Sequence, residues 1–164
     1  MPAYSLVFKD LETLSTLNTF QTMGAIQTDN AAGSRIRLRE IDIGPSDDTP
    51  VDVNVALQLK RIKDVSVGGA GTATTVAKTE SHVHRDDQSQ DAPAVGKHSY
   101  TSEPTVYETE VIWQAEINAH GGVQKYWDED EAPEIGMDAL LGLLAAPRTA
   151  AAVRLSGTLT YETW

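Results

Sequence analysis

From Val51 to Ile62 the chain reads VDVNVALQLKRI, with Val51, Val53, Val55, Leu57 and Leu59 on every second position and Asp52, Asn54, Gln58 and Lys60 in most of the gaps. A period of two sends the two sets to opposite faces of a pleated strand, one toward a core and one toward water. Strands covered on both faces read as unbroken apolar runs, so this alternation predicts antiparallel sheet. In Arg35 to Ile43, RIRLREIDI, Ile36 and Leu38 share a phase that Ile41 and Ile43 do not. A one-residue change of phase predicts a β-bulge near Arg39 and Glu40. The Pro and Gly connection between the two strands, Gly44 to Pro50, fits an antiparallel neighbour pair.

The same reading places strands elsewhere. Tyr4 to Phe8 is a short apolar run, and Leu11 to Met23 has helical spacing, but its Thr and Ser content favours an extended segment. Thr28 to Ser34 has turn chemistry. Val106 to Ile117 predicts the longest alternating strand, with Tyr107, Val111, Trp113, Ala115 and Ile117 on one face and Glu108, Glu110, Gln114 and Glu116 on the other. Gly121 and Gly122 turn the chain into VQKYW. Ile135 to Ala146, IGMDALLGLLAA, is interrupted by two glycines and reads as strand rather than helix. Val153, Leu155, Leu159 and Tyr161 alternate through the last strand. About eight strands separated by turns predict an all-β antiparallel sandwich, jelly-roll-like, over a single domain 1–164. The polar stretch from residue 66 to 104 reads as a long loop or extended arm, or as strand hidden by its composition.

Composition narrows the function classes. The 164 residues include no cysteine, which removes disulfides and thiolate chemistry. Lys and Arg total 13 against 24 Asp and Glu, a formal charge of −11, so the overall field repels nucleic acid and anionic lipid. No apolar run spans a bilayer and the N-terminus lacks a secretion signal, so a soluble product made in the cytoplasm is expected.

Candidate chemistry is sparse. His82 and His84 would share a strand face, with His98 nearby. Cupins carry such a pair after a glycine and before a glutamate, whereas Val76 and Asp86 stand here, so the histidines read as part of a polar loop and no metal or cofactor is expected. Asp128 to Glu134 lacks the spacing of a calcium loop and reads as a solvated acidic tip. Gly68 to Gly71 lacks the Lys and Ser/Thr of a phosphate loop, and reads as a flexible connection. Glu108 and Glu110 read as solubilising charge. Arg35, Arg37 and Arg39 repeat on alternate positions, and Lys60, Arg61 and Lys63 follow at the end of the next strand, a positive patch suited to an acidic protein partner. The equal alternative is a surface neutralised by Asp and Glu of neighbouring strands. Tyr126, Trp127 and Trp164 are candidates for exposed aromatics over a sugar ring.

The C-terminal segment runs from a Leu-rich strand through a short Ala and Pro turn to a strand centred on Ser156 and Gly157 and ending at Tyr161 and Glu162. At the other end a short strand and a Thr-rich segment precede RIRLREIDIG. In this arrangement the chain resembles the small all-β decoration or cement proteins of tailed bacteriophage heads. The resemblance does not extend to Ser66 to Pro104. It implies a non-enzymatic virion component on the outer surface of the capsid, bound to the major capsid protein, often as a homotrimer, with the N-terminus and residues 66 to 104 as arms. A carbohydrate- or receptor-binding sandwich module of a virion is the alternative, and a metal-dependent sandwich enzyme the third reading.

Overall fold

The computed structural model describes residues 3–29, 35–46, 52–67, 69–75, 94–118 and 120–163. Among these the protein has eleven β-strands, one 3-10 turn at Val65–Val67 and no α-helix. The strands are β1 (Ala3–Glu12), β2 (Gln21–Thr28), β3 (Ile36–Pro45), β4 (Asn54–Ile62), β5 (Thr72–Thr75), β6 (Ala94–Ser102), β7 (Trp113–Asn118), β8 (Val123–Tyr126), β9 (Glu134–Ile135), β10 (Leu140–Pro147) and β11 (Arg154–Thr163). No helix among the described residues is long and apolar enough to cross a membrane.

Every pairing is antiparallel, and the order of partners is nested. β1 pairs β11, β2 pairs β10, β3 pairs β8 and β4 pairs β7. This is one long hairpin rolled into two layers, with orders β1-β11-β3-β8 and β2-β10-β4-β7, the jelly-roll form of sandwich. β9 adds a short pairing to β3, while β6 and then β5 extend the second sheet beyond β2. The expected eight strands are this frame, and β5, β6 and β9 are the additions. β5 and β6 also lie inside the polar 66–104 stretch, which is therefore partly sheet. His82 and His84 lie outside the described residues, as does most of the turn at Thr28 to Ser34.

Two neighbour relations differ from those expected. β3 and β4 belong to different sheets, because a rolled hairpin sends consecutive strands across the core instead of side by side. Similarly, Gly121 and Gly122 carry the chain from β7 in one sheet to β8 in the other. The segment read as one long strand from Val106 is regular only over Trp113–Asn118, and residues 108 and 112 follow β4 through single bonds to the Arg61 and Leu59 carbonyls. Leu11 to Met23 is extended at its ends, with an irregular connection over 13–20.

The main core lies between the layers. Leu6, Phe8, Leu38, Ile41, Leu159 and Tyr161 of the first sheet meet Ile26, Leu57, Leu59 and Leu143 of the second. Leu6 fills the space left by Gly96, where an added Cβ would come within 2.6 Å of its Cδ1. The β-bulge read from the phase change is present on β3: Thr160 faces Glu40 and Tyr161 faces Leu38, leaving Arg39 unpaired so that Leu38 and Ile41 both point inward.

The outer face of the second sheet does not simply meet water. Ala25, Ile62, Tyr100 and Leu140 form a second buried cluster there, with Val65, Ala73 and Tyr107 packed on it. The residues between β6 and β7 cross this face over β2 and β10, and the Tyr107 ring covers Gly142. All eight residues of β10 are buried, which is why this strand reads as an unbroken apolar run.

Candidate functional site

The six basic residues expected to form one patch are divided between the sheets. Arg37 is buried, with Nη2 donating to Glu134 Oε1 at 2.7 Å and Nη1 donating to Glu129 Oε1 at 3.0 Å. β9 places this clasp, since Glu134 stands in register with Arg37. The hydrogen bond that Arg37 donates to Glu134 holds the Arg37 pKa above its ordinary value against the opposing effect of burial, with Glu129 adding to it. The acidic loop is thus in part a counterion rather than a solvated tip. On the second sheet, Arg61 Nε and Lys63 Nζ both hold Glu108, at 2.7 and 2.8 Å, and Lys60 is half-buried opposite Gly142. Glu108 is therefore a tether for the segment that follows β6, and its pKa is lowered by the hydrogen bonds from Lys63 and then Arg61. Arg35 is exposed and, with Arg61 and Glu134, lines an open cleft of about 340 Å³ where the two sheets approach each other. Carboxylates of the same chain neutralise Arg37, Arg61 and Lys63, but only Glu134 among them lies on a neighbouring strand, the others being in connecting segments.

Arg39 has a different setting. The β3 bulge turns Arg39 and Glu40 into one groove of about 270 Å³ on the outer face of the first sheet, together with Tyr126, Trp127 and Glu162. Arg39 Nε lies 3.6 Å from Glu162 Oε2, a loose ion pair, and its buried Nη1 has no hydrogen-bond partner. Trp127 donates its backbone N–H to the Arg39 carbonyl at 3.0 Å, which fixes the aromatic beside the guanidinium.

The two aromatics differ from each other. Trp127 is only 8% exposed, so it is a wall and not the exposed sugar platform expected from its place beside the acidic loop. Its ring meets Trp113 edge-on at 6.1 Å, and Lys125 Nζ lies 5.4 Å from the ring centre. Tyr126 is 60% exposed and is the free surface of the groove. Gln124 Nε2 donates to the Tyr126 hydroxyl at 2.7 Å and to Glu40 Oε1 at 2.8 Å, which orients both. A side-chain hydrogen bond to the Glu40 carboxylate raises the Tyr126 pKa above its ordinary value, with desolvation adding to it, so the hydroxyl is tied to Glu40. Trp164 lies outside the described residues.

The chain matches no known family model and no curated protein. Fold and groove geometry therefore carry the functional reading. The other sequence candidates contribute less to it. His98 Nδ1 is bonded to Ser99 Oγ at 2.8 Å, and no group of three or more His, Asp or Glu able to hold a metal occurs among the described residues. Glu40 and Glu162 are the groove residues that sequence reasoning missed. The signal for Glu40 was the bulge itself, which brings Arg39 and Glu40 to one face, whereas Glu162 joins them only through the pairing of β11 with β3.

Proposed function

We propose that this protein is a non-enzymatic structural module that docks on the outer surface of a bacteriophage capsid and cements neighbouring major capsid protein subunits. The observation that carries this reading is the Arg39, Tyr126 and Trp127 groove on the outer face of a jelly-roll body. Tyr, Trp and Arg dominate the energetics of protein interfaces, because each combines a large apolar area with a polar end that selects its partner. Here the Trp is already held by packing, the Arg is only loosely paired with Glu162 and the Tyr is open, so little ordering is needed on docking. The frame agrees with the body implied by the resemblance to phage decoration proteins, which also supplies the partner class.

In this role the protein binds the assembled lattice and not its separate parts, and by linkage it stabilises the assembly. A homotrimer would join several weak contacts into one tight attachment. Mixing the protein with capsids that lack it tests the reading: saturable binding and a higher temperature of capsid disruption are expected. Capsids that neither bind it nor gain heat resistance would overturn it.

A second reading is favoured by one feature of the same groove. The open Tyr126 ring has Glu40 and Gln124 beside it, an arrangement that suits stacking and hydrogen bonding to a sugar in a virion receptor-binding module. A glycan array with hits lost in Tyr126→Ala would favour this second reading.

A further inference from the structure

The segment that leaves β6 crosses the outer face of the second sheet without joining it. Residues 103–108 have no regular secondary structure, and the β6-β2-β10-β4 ladder beneath them is complete without them. Pro104 is buried, whereas Val106 is 49% exposed. Under the segment lie Ala25, Ile62, Tyr100 and Leu140, a cluster separate from the main core, with Tyr107 packed on it.

The ties that hold the segment down are mostly polar. Glu103 accepts the Thr22 backbone N–H at 2.9 Å, and the Tyr107 hydroxyl lies 3.0 Å from Thr22 Oγ1. Thr105 donates its backbone N–H to the Gly69 carbonyl at 3.2 Å, and Glu108 donates its own to the Arg61 carbonyl at 2.9 Å. At the far end the Glu108 carboxylate holds Arg61 Nε and Lys63 Nζ. A segment fastened by surface ties, outside the main core, opens locally at a lower cost than the whole domain unfolds.

Glu108 makes that cost depend on pH. Around it stand Arg61 of β4, Lys63 just beyond that strand and Glu110, exposed on the same connection, while Arg35 and Glu134 share a cleft with Arg61. Lys60 lies beside Gly142, under the neighbouring Tyr107 ring. Hydrogen bonds from Lys63 and then Arg61 lower the Glu108 pKa, so its contribution is complete above the ordinary carboxylate range and is lost as pH falls through the folded value. Protonation then removes the far anchor of the segment.

We propose that residues 103–108 are an acid-released strap, which opens as a unit over an intact sandwich and bares the apolar cluster of Ala25, Ile62, Tyr100 and Leu140. The strap lies on the opposite layer from the Arg39 groove, so it stands whether or not the partner of that groove is a capsid.

The test is NMR of the full-length protein from neutral pH down through the carboxylate range, with Nile red as an uncharged reporter of exposed apolar surface. The Tyr107 ring and the Ile62 and Leu140 methyls should shift together as dye binding rises, while the Leu143 and Leu159 methyls of the main core hold their positions. Glu108→Gln should raise the open fraction at neutral pH about fivefold and flatten its pH response. A second variant closes the strap covalently. An added Cβ at Gly69 would stand 2.8 Å from the Val106 Cβ, so Gly69→Cys with Val106→Cys can form a disulfide after a shift of about 1 Å, in a chain with no cysteine of its own. Oxidised, this variant should bind no more dye in acid than at neutral pH, and reduced, it should open as the parent does. Strap and core signals lost in a single step, a Glu108→Gln variant with the parent's pH profile, or acid dye binding by the oxidised form would overturn the strap.

Discussion

The Tyr107 hydroxyl lies 3.0 Å from Thr22 Oγ1, joining the segment that leaves β6 to the strand it crosses. The contact exists because Gly142 lies beneath the ring, where an added Cβ would overlap the hydroxyl. Gly142→Ala should therefore lift the crossing segment and destabilise the protein by about 1–3 kcal/mol, as overpacking does. Thr22→Val, which removes one hydrogen bond, should cost about 1 kcal/mol. Urea denaturation of both variants checks the order, and a larger loss in Thr22→Val would contradict it.

Glu108 should give the stability of the protein an acid limb. Its pKa is lowered from 4.5 in the folded state by hydrogen bonds from Lys63 and Arg61. A depressed carboxylate binds fewer protons folded than unfolded, so its contribution is present above 4.5 and is lost as pH falls through the lower folded value. Melting temperatures of the protein and of Glu108→Gln should differ at neutral pH and converge in acid. A gap that widens below the ordinary carboxylate range would show that the clasp is not what Glu108 supplies.

Leu143 is fully buried at the centre of β10, whereas Leu17 is 51% exposed in the connection after β1. Leu143→Ala should lose about 2–5 kcal/mol through the cavity it leaves. Leu17→Ala should stay within about 0.5 kcal/mol. Equal effects in chemical denaturation would place the core elsewhere.

Tyr126 is exposed and Trp127 is not, so the two should separate binding from folding. Tyr126→Ala is expected to weaken capsid attachment at least about tenfold, as an interface anchor does, with its melting temperature unchanged. Trp127→Ala should destabilise the fold itself by about 3–5 kcal/mol. Sedimentation with capsids, read beside thermal denaturation, distinguishes the two.

Much of the fold is legible along the chain. Ile36, Leu38, Ile41 and Ile43 announce both the inward face of β3 and the bulge that turns Arg39 and Glu40 outward, because a change of phase has a direct steric meaning. Of the strand expected over Ile135 to Ala146, the part from Leu140 was legible as β10 despite its helical spacing, since Gly136 and Gly142 weaken a helix, whereas Ile135 pairs with the other sheet as part of β9 and a turn separates the two. The basic patch was not legible as it stands, because Arg37 and Glu134 are far apart in the chain and meet only when β9 joins β3. Trp127 was misplaced for the same reason, as its cover comes from Trp113 on the other sheet.

Period-two alternation determined on its own that the protein is antiparallel sheet, which side chains of β3, β4 and β11 face the core and where β3 breaks step. Those properties are local, set by the geometry of one extended backbone. Which strands become neighbours was decided only by the tertiary structure, as in the pairing of Tyr4 with Tyr161 across nearly the whole chain. The same stripe of buried residues serves any partner, so a rolled hairpin and a simple meander leave the same mark on each strand. The cover over the second sheet and the cancelled charges both depend on that choice of partners.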